Sequence, residues 1–248
     1  AANEVIASGG SVAQMRFYGQ EINQTSAAIG RMNLFIHDVE DAQILRGDTL
    51  RDPKFVDSAG KLDQFELVIA NPPFSLKDWG ADTWATDPHR RAVGGVPPKG
   101  NGDFAWVQHM VASMKPGNGR VGVVMPHGVL FRGGTEAKIR QHLIETDQLE
   151  AVIGLASNLF YGTAIPACLL ILRTTKIKDR AGHLLFVDGS KRFTQGKAQN
   201  SLNNSDVDDL YAAYQGNEEL EDIGVRLVPH EEIENNSWDL NIGRYLIA

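Results

Sequence analysis

Short apolar runs recur along the chain with helical periodicity between several of them. Residues 16–20, 42–46, 65–70, 120–125, 150–155, 167–172 and 184–187 read as strands. Apolar positions spaced for one helix face appear over residues 25–37, 103–114 and 135–146. Asp103 stands where an N-cap belongs, and Lys115-Pro116-Gly117 is a stop. Strands that alternate with helices predict an α/β fold with a doubly wound, mostly parallel sheet. Such sheets bind ligands at the carboxyl ends of their strands. Residues 206–214 predict a further helix and 225–228 a further strand. We expect a catalytic core over residues 1–190 and an extension, residues 191–248, packed on it. No internal repeat is visible.

Asn71-Pro72-Pro73-Phe74 follows directly on the apolar run Leu67-Val68-Ile69-Ala70. A residue before proline is pushed toward extended geometry, so Asn71 and Pro72 are both restricted. Pro72 and Pro73 hold φ near −65° and donate no N–H. An amide side chain, outward carbonyls and one aromatic face remain on a stiff frame. That frame suits a planar substrate bearing an amino group: two acceptors for its N–H bonds and a ring to stack on.

Weaker candidates end the two strands before it. Glu21 stands where a doubly wound nucleotide fold places an acid on ribose hydroxyls, and equally where an acid decorates a solvated strand end. Asp48, in Gly47-Asp48-Thr49-Leu50, either takes an adenine amino group or begins a turn, and alone the turn is the better reading. The succession acid, acid, Asn-Pro-Pro-Phe at three strand ends predicts that these ends line one crevice. Ser8-Gly9-Gly10-Ser11 lacks the strand-before, helix-after setting of a phosphate loop and reads as a helix exit or linker. Of two long loops, residues 75–102 and 189–205, the first holds Trp79, Trp84, three prolines and five glycines, and loops this long are commonly functional.

Composition narrows the classes. With 248 residues and 42% hydrophobic content the chain can bury one sizeable core. A net charge of −7 argues against gripping nucleic acid by bulk positive charge, so DNA contacts would need a partner or a local basic patch. Cys168 lies in an apolar run and reads as a buried thiol. The seven histidines show no metal spacing, and His109 and His127 read as structural. No metal is expected. The aromatics of Leu159-Phe160-Tyr161-Gly162 either wall a base pocket or pack the core.

Further segments carry a resemblance: Tyr18-Gly19-Gln20-Glu21-Ile22-Asn23, Arg31-Met32-Asn33-Leu34, Gly102-Asp103-Phe104-Ala105-Trp106, the block from Leu159-Phe160-Tyr161-Gly162 to Ile165-Pro166-Ala167-Cys168, and the tail 239–245. With Gly47-Asp48-Thr49-Leu50 and the Asn-Pro-Pro-Phe loop, these resemble the modification subunit of type I restriction-modification systems, an N6-adenine DNA methyltransferase. The resemblance runs from about Tyr18 to Tyr245. It implies the fold of S-adenosylmethionine-dependent methyltransferases, with Glu21 at the cofactor ribose, Asp48 at its adenine, and Ile22 and Thr49 beside them in the cofactor site. Asn71 would border the cofactor and, with the Pro72 carbonyl, hold the target amine in a catalytic loop completed by Pro73 and Phe74. Phe74 would stack on a flipped adenine and Phe160 would form the opposite wall.

The implied partners are DNA and the specificity and restriction subunits of one system, in a bacterial or archaeal cytoplasm and away from membranes. Family members carry, before the stretch matching Tyr18, a strand with a glycine-rich loop and a helical domain. Neither is in this sequence, so we expect these residues alone neither to methylate DNA nor to bind S-adenosylmethionine tightly. Two other readings compete: methyl transfer to another planar amino group, such as a protein glutamine or an RNA guanine, and a non-catalytic interaction module with the same fold.

Overall fold

The structure, a computed structural model, describes residues 2–11, 15–39, 41–161, 163–216 and 220–246. It divides into two compact units, Ala1–Leu62 and Asp63–Ala248.

The first unit contains helix α1 (Ala2–Ala7), strand β1 (Phe17–Glu21), helix α2 (Gln24–Ile36) and strand β2 (Ala42–Arg46). β1 and β2 run parallel, with Phe17 opposite Ala42 and Glu21 opposite Arg46. A parallel pair needs a crossover, and α2 is that crossover. Asn23 caps it, its side chain accepting the Ser26 N–H at 3.0 Å. Ser8-Gly9-Gly10-Ser11 is a helix exit, as expected. The chain leaves α1 through Gly9 at φ 78°, and Gly10 donates back to the Val5 carbonyl at 2.8 Å.

The second unit begins with β3 (Leu67–Ala70), α3 (Ala81–Trp84), α4 (Asp103–Ala112), β4 (Arg120–Pro126), α5 (Gly128–Phe131) and α6 (Thr135–Glu145). It continues through β5 (Leu149–Leu155), β6 (Ala167–Arg173), β7 (His183–Gly189), α7 (Asn204–Gly216), β8 (Gly224–Pro229), α8 (His230–Asn235) and α9 (Ile242–Tyr245). Its strands form one six-stranded sheet in the order β3-β4-β6-β5-β7-β8. The α/β class is as expected, but the ladders are more mixed than a mostly parallel sheet. β3–β4 and β5–β7 are parallel, whereas β4–β6, β5–β6 and β7–β8 are antiparallel. Among the described residues between β5 and β6 there is no crossover helix, and β6 returns beside β5 in the opposite direction.

Period-two alternation splits the buried residues between the sheet's two faces. Val152, Leu184 and Phe186 face the helices α4, α6 and α8 through Val107, Ile139 and Ile233. Their chain neighbours Ala151, Ile153, Leu185 and Val187 face Leu210 and Ala213 of α7. Among the described residues no helix is long and apolar enough to cross a membrane.

A register shift between Leu149 and Ala151 leaves Glu150 outside the β5–β6 ladder. Its fully buried carboxylate accepts bonds from Arg173, from Arg180 at 2.9 Å and from the Tyr214 hydroxyl at 3.2 Å. The Arg180 guanidinium also lies over the Tyr214 ring, 4.5 Å from its centre. Glu150→Ala would leave Arg180 buried without its carboxylate. We expect a loss of about 3–5 kcal/mol of unfolding free energy, read from the urea midpoint at unchanged slope. A loss below about 1 kcal/mol, the range of exposed pairs, would show that the cluster is hydrated.

Candidate active site

In the first unit, the parallel register of β1 and β2 brings the two acids to the same end of the pair. Glu21 closes β1 and accepts the Asn23 N–H on Oε1 at 2.7 Å, while its Oε2 has no hydrogen-bond partner among the described residues. Asp48 does begin a turn: its Oδ1 accepts the N–H groups of Leu50 and Arg51 at 3.0 and 3.1 Å. Oδ2 is left turned toward Arg51 Nε, at 4.0 Å. Gln20 ties the two strand ends together, donating to the Asp52 carbonyl at 2.8 Å and accepting the Lys54 N–H at 2.9 Å. Ile22 is exposed and Thr49 half-buried. One uncommitted carboxylate oxygen at a strand end, an acceptor for hydroxyls, beside an exposed apolar side chain fits the ribose and base of a nucleoside.

In the second unit, β3 stops at Ala70 because Pro72 and Pro73 bring no N–H to a ladder. Pro72 is buried and anchors the loop, whereas Asn71 and Pro73 are exposed. The Asn71 amide makes no hydrogen bond among the described residues, so its oxygen is available as an acceptor. Phe74 is half-buried and meets Phe160, ring centres 6.2 Å apart and planes at 69°. A base held between two rings needs them nearly parallel and about 7 Å apart, twice a van der Waals contact. The two rings are therefore in edge contact, and one would have to turn for a base to lie between them.

Phe160 belongs to a tight turn in which Thr163 donates its N–H to the Phe160 carbonyl at 3.3 Å. Residues 199 and 200 fasten that turn from behind, Gln199 Nε2 donating to the Leu159 carbonyl at 2.6 Å and Asn200 N–H to the Asn158 carbonyl at 2.9 Å.

The long loop 75–102 is packed tightly onto α4. Trp79 and Trp84 meet edge to face at 5.1 Å, and the Arg91 guanidinium lies 4.0 Å from the centre of the Trp84 ring. Asp87 accepts two hydrogen bonds from the Arg91 guanidinium, whose Nη1 is 3.2 Å from His109 Nδ1. Gln108 donates to the Val93 and Gly95 carbonyls, both at 2.7 Å, and accepts the Trp84 indole N–H.

His109 is thus a fastening for the loop. Burial, helped by the Arg91 charge, lowers its pKa to about 3 and keeps it neutral, an acceptor for Arg91. His127 donates from Nε2 to the Ala167 carbonyl at 3.0 Å, and burial lowers its pKa as well. Both are structural, as expected. Cys168 is fully buried and burial pushes its thiol pKa up.

The expected N-cap at Asp103 is a correction. Gly102 occupies the cap and Asp103 is the first helical residue, its carboxylate drawn instead to the Ser75 N–H and to Arg132. Sequence reasoning also missed Arg132, which stands in no motif. Only its i, i+4 spacing from Glu136 hinted at a pair.

The mixed sheet with an Asn-Pro-Pro-Phe loop at the end of a parallel strand defines the fold of S-adenosylmethionine-dependent methyltransferases. The chain belongs to the N-6 DNA Methylase family, which it matches over residues 1–248. It is 35% identical over 94% of its length to the type I restriction enzyme MjaVII methylase subunit of Methanocaldococcus jannaschii, covering 41% of that protein. It is 31% identical over 96% of its length to the HindI methylase subunit of Haemophilus influenzae, covering 53%. A crystal structure of a type I restriction-modification methyltransferase subunit from Streptococcus thermophilus superposes with a TM-score of 0.87 at 33% identity, over 99% of this chain and 51% of that one. The chain thus spans about half, or less, of the length of these relatives.

The buried His109 sets a pH dependence. Below pH 6.5 the unfolded chain takes up a proton there that the folded chain refuses until about pH 3. This contribution to stability is complete above pH 6.5 and is lost progressively as pH falls below it. His109→Asn keeps an acceptor for Arg91 without titrating, and thermal melts should show a flatter decline on the acid side of pH 6.5. An unchanged acid limb would mean that other groups govern it.

Proposed function

We propose that this chain carries the catalytic part of a type I modification subunit, which transfers a methyl group from S-adenosylmethionine to the N6 amino group of adenine in DNA. The observation that carries this reading is the exposed Asn71 amide, free of hydrogen bonds among the described residues, on the same loop as Phe74, which meets Phe160.

Adenine N6 is a poor nucleophile because its lone pair is delocalised into the ring. Asn71 Oδ1 and the Pro72 carbonyl would accept its two N–H bonds and favour the pyramidal form whose lone pair is directed at an electrophile. Phe74 and Phe160 would hold the flipped base by its faces and exclude water. Glu21 would accept the ribose hydroxyls of the cofactor on its uncommitted oxygen, with Ile22 against the sugar and base, and Asp48 and Thr49 would address the adenine. S-adenosylmethionine would supply a sulfonium methyl group that passes to N6 as the sulfur keeps the bonding electrons and one N–H proton leaves to solvent. No strong base is required, which suits a site whose nearby histidines are held neutral as structural groups. The net charge of −7 supports a division of labour in which a specificity subunit contributes most DNA contacts and a restriction subunit joins the same complex.

In the complex with its specificity subunit, Asn71→Ala should cut the methylation rate by at least about a hundredfold, the scale of one preorganised polar contact in a transition state. Tritium transfer from labelled cofactor to duplex DNA measures it, and near-normal turnover would remove Asn71 from the site.

Phe74→Ala should weaken capture of the flipped base by roughly 1–3 kcal/mol, whereas Phe74→Tyr or Trp should be tolerated. A 2-aminopurine at the target position should brighten less with the alanine variant. Equal brightening would make Phe74 a packing residue.

A further inference from the structure

Ser75, the residue after Phe74, stands at φ 52°. A non-glycine side chain in this left-handed region costs on the order of 1 kcal/mol, and such strain persists only where the surroundings impose it. Here the imposing group is visible. The Ser75 N–H donates to Asp103 Oδ1 at 2.7 Å, and Asp103 is 1% exposed. Asp103 Oδ2 accepts Arg132 Nη2 at 2.6 Å, and the same guanidinium donates to Glu136 at 2.7 and 3.0 Å. Arg140 holds the Arg132 carbonyl in turn, at 2.7 Å. The carboxylate therefore cannot swing away from Ser75 without breaking its part-buried ion pair with Arg132.

A second bond lies one residue on, where the Leu76 carbonyl accepts the Gly102 N–H at 2.9 Å. Gly102 leaves no room for adjustment, since a Cβ there would come 2.9 Å from the Trp79 ring. At the entry to the loop, Pro72 and Pro73 have little rotational freedom. The exit at Ser75 is where the direction of the Phe74 ring is decided.

We infer that Asp103 is a positioning residue for the methyl-transfer site: by holding Ser75 in its left-handed conformation it aims Phe74 at the target base. This rests on the function proposed above. Asp103 touches neither base nor cofactor in this scheme and acts only through the backbone of Ser75.

The test uses the assembled modification complex. Asp103→Ala should lower the single-turnover methylation rate by about a hundredfold, the scale of a misplacement near 1 Å, with DNA and cofactor affinities changed by less than about threefold. Glycine adopts positive φ without help, so adding Ser75→Gly to Asp103→Ala should restore the rate at least about tenfold. If Asp103→Ala does not fold, Asp103→Asn, which keeps an acceptor for the Ser75 N–H but loses the charge, should stay within about tenfold of wild type. Absence of rescue by Ser75→Gly, or an Asn variant outside that range, would overturn the assignment. Amide hydrogen exchange at Ser75 reads the same role without activity: it should quicken in Asp103→Ala and much less in Asp103→Asn, which keeps the acceptor, and unchanged protection in Asp103→Ala would overturn the assignment. A wild-type complex that fails to methylate adenine would instead overturn the proposed function, leaving the exchange experiment to decide the role of Asp103.

Discussion

A short parallel ladder, Leu67–Ala70 on Arg120–Val123, carries Asn71 to its place. Backbone bonds just before it hold the two strands in register, Phe65 donating to Ser113, Lys115 to Phe65 and Arg120 to Glu66 at 2.8 to 2.9 Å. Four residues of strand would be a weak support alone. β4, however, is locked on its other edge by a seven-residue antiparallel ladder with β6, from Arg120 opposite Arg173 to Pro126 opposite Ala167. The buried sides of both, Val121, Val123 and Met125 against Cys168, Leu170 and Leu172, belong to the main core. The Asn-Pro-Pro-Phe loop thus hangs from a strand that borrows its rigidity from its neighbours.

Charge inside this fold fastens irregular segments to regular ones. The Asp87–Arg91–His109 cluster binds loop 75–102 to α4, Asp103–Arg132–Glu136 binds the segment after Phe74 to α4 and α6, and Glu150, with Arg173 and Arg180, binds α7 to the sheet through Tyr214. Buried ion pairs add little net stability over apolar packing of equal volume, because desolvation offsets their attraction. What they add is direction: a carboxylate with two partners admits one arrangement where a cluster of leucines admits several.

The strands were legible in the sequence to within a residue or two, because each is a short apolar or alternating run. The short helices α5, α8 and α9 were not, since four to six residues hold too little of a 3.6-residue period. Asp103 read as a cap because local preference favours aspartate at helix starts. The Ser75 N–H and the Arg132 guanidinium compete for the same carboxylate and win. Asp48 shows the opposite outcome, its turn following from local chemistry alone and found as read.

By itself the sequence determined what short-range sterics and periodicity control: the alternation of strands and helices, the stop after Lys115, the stiff Asn-Pro-Pro-Phe frame after an apolar strand, and the helix exit at Gly9 and Gly10. Only the tertiary structure decided the insertion of β6 between β4 and β5, the meeting of Phe74 with Phe160, and the bond from Ser75 to Asp103. Each of these joins residues far apart in the chain. Their energy comes from burial and from partners that no local pattern of apolar and polar positions specifies.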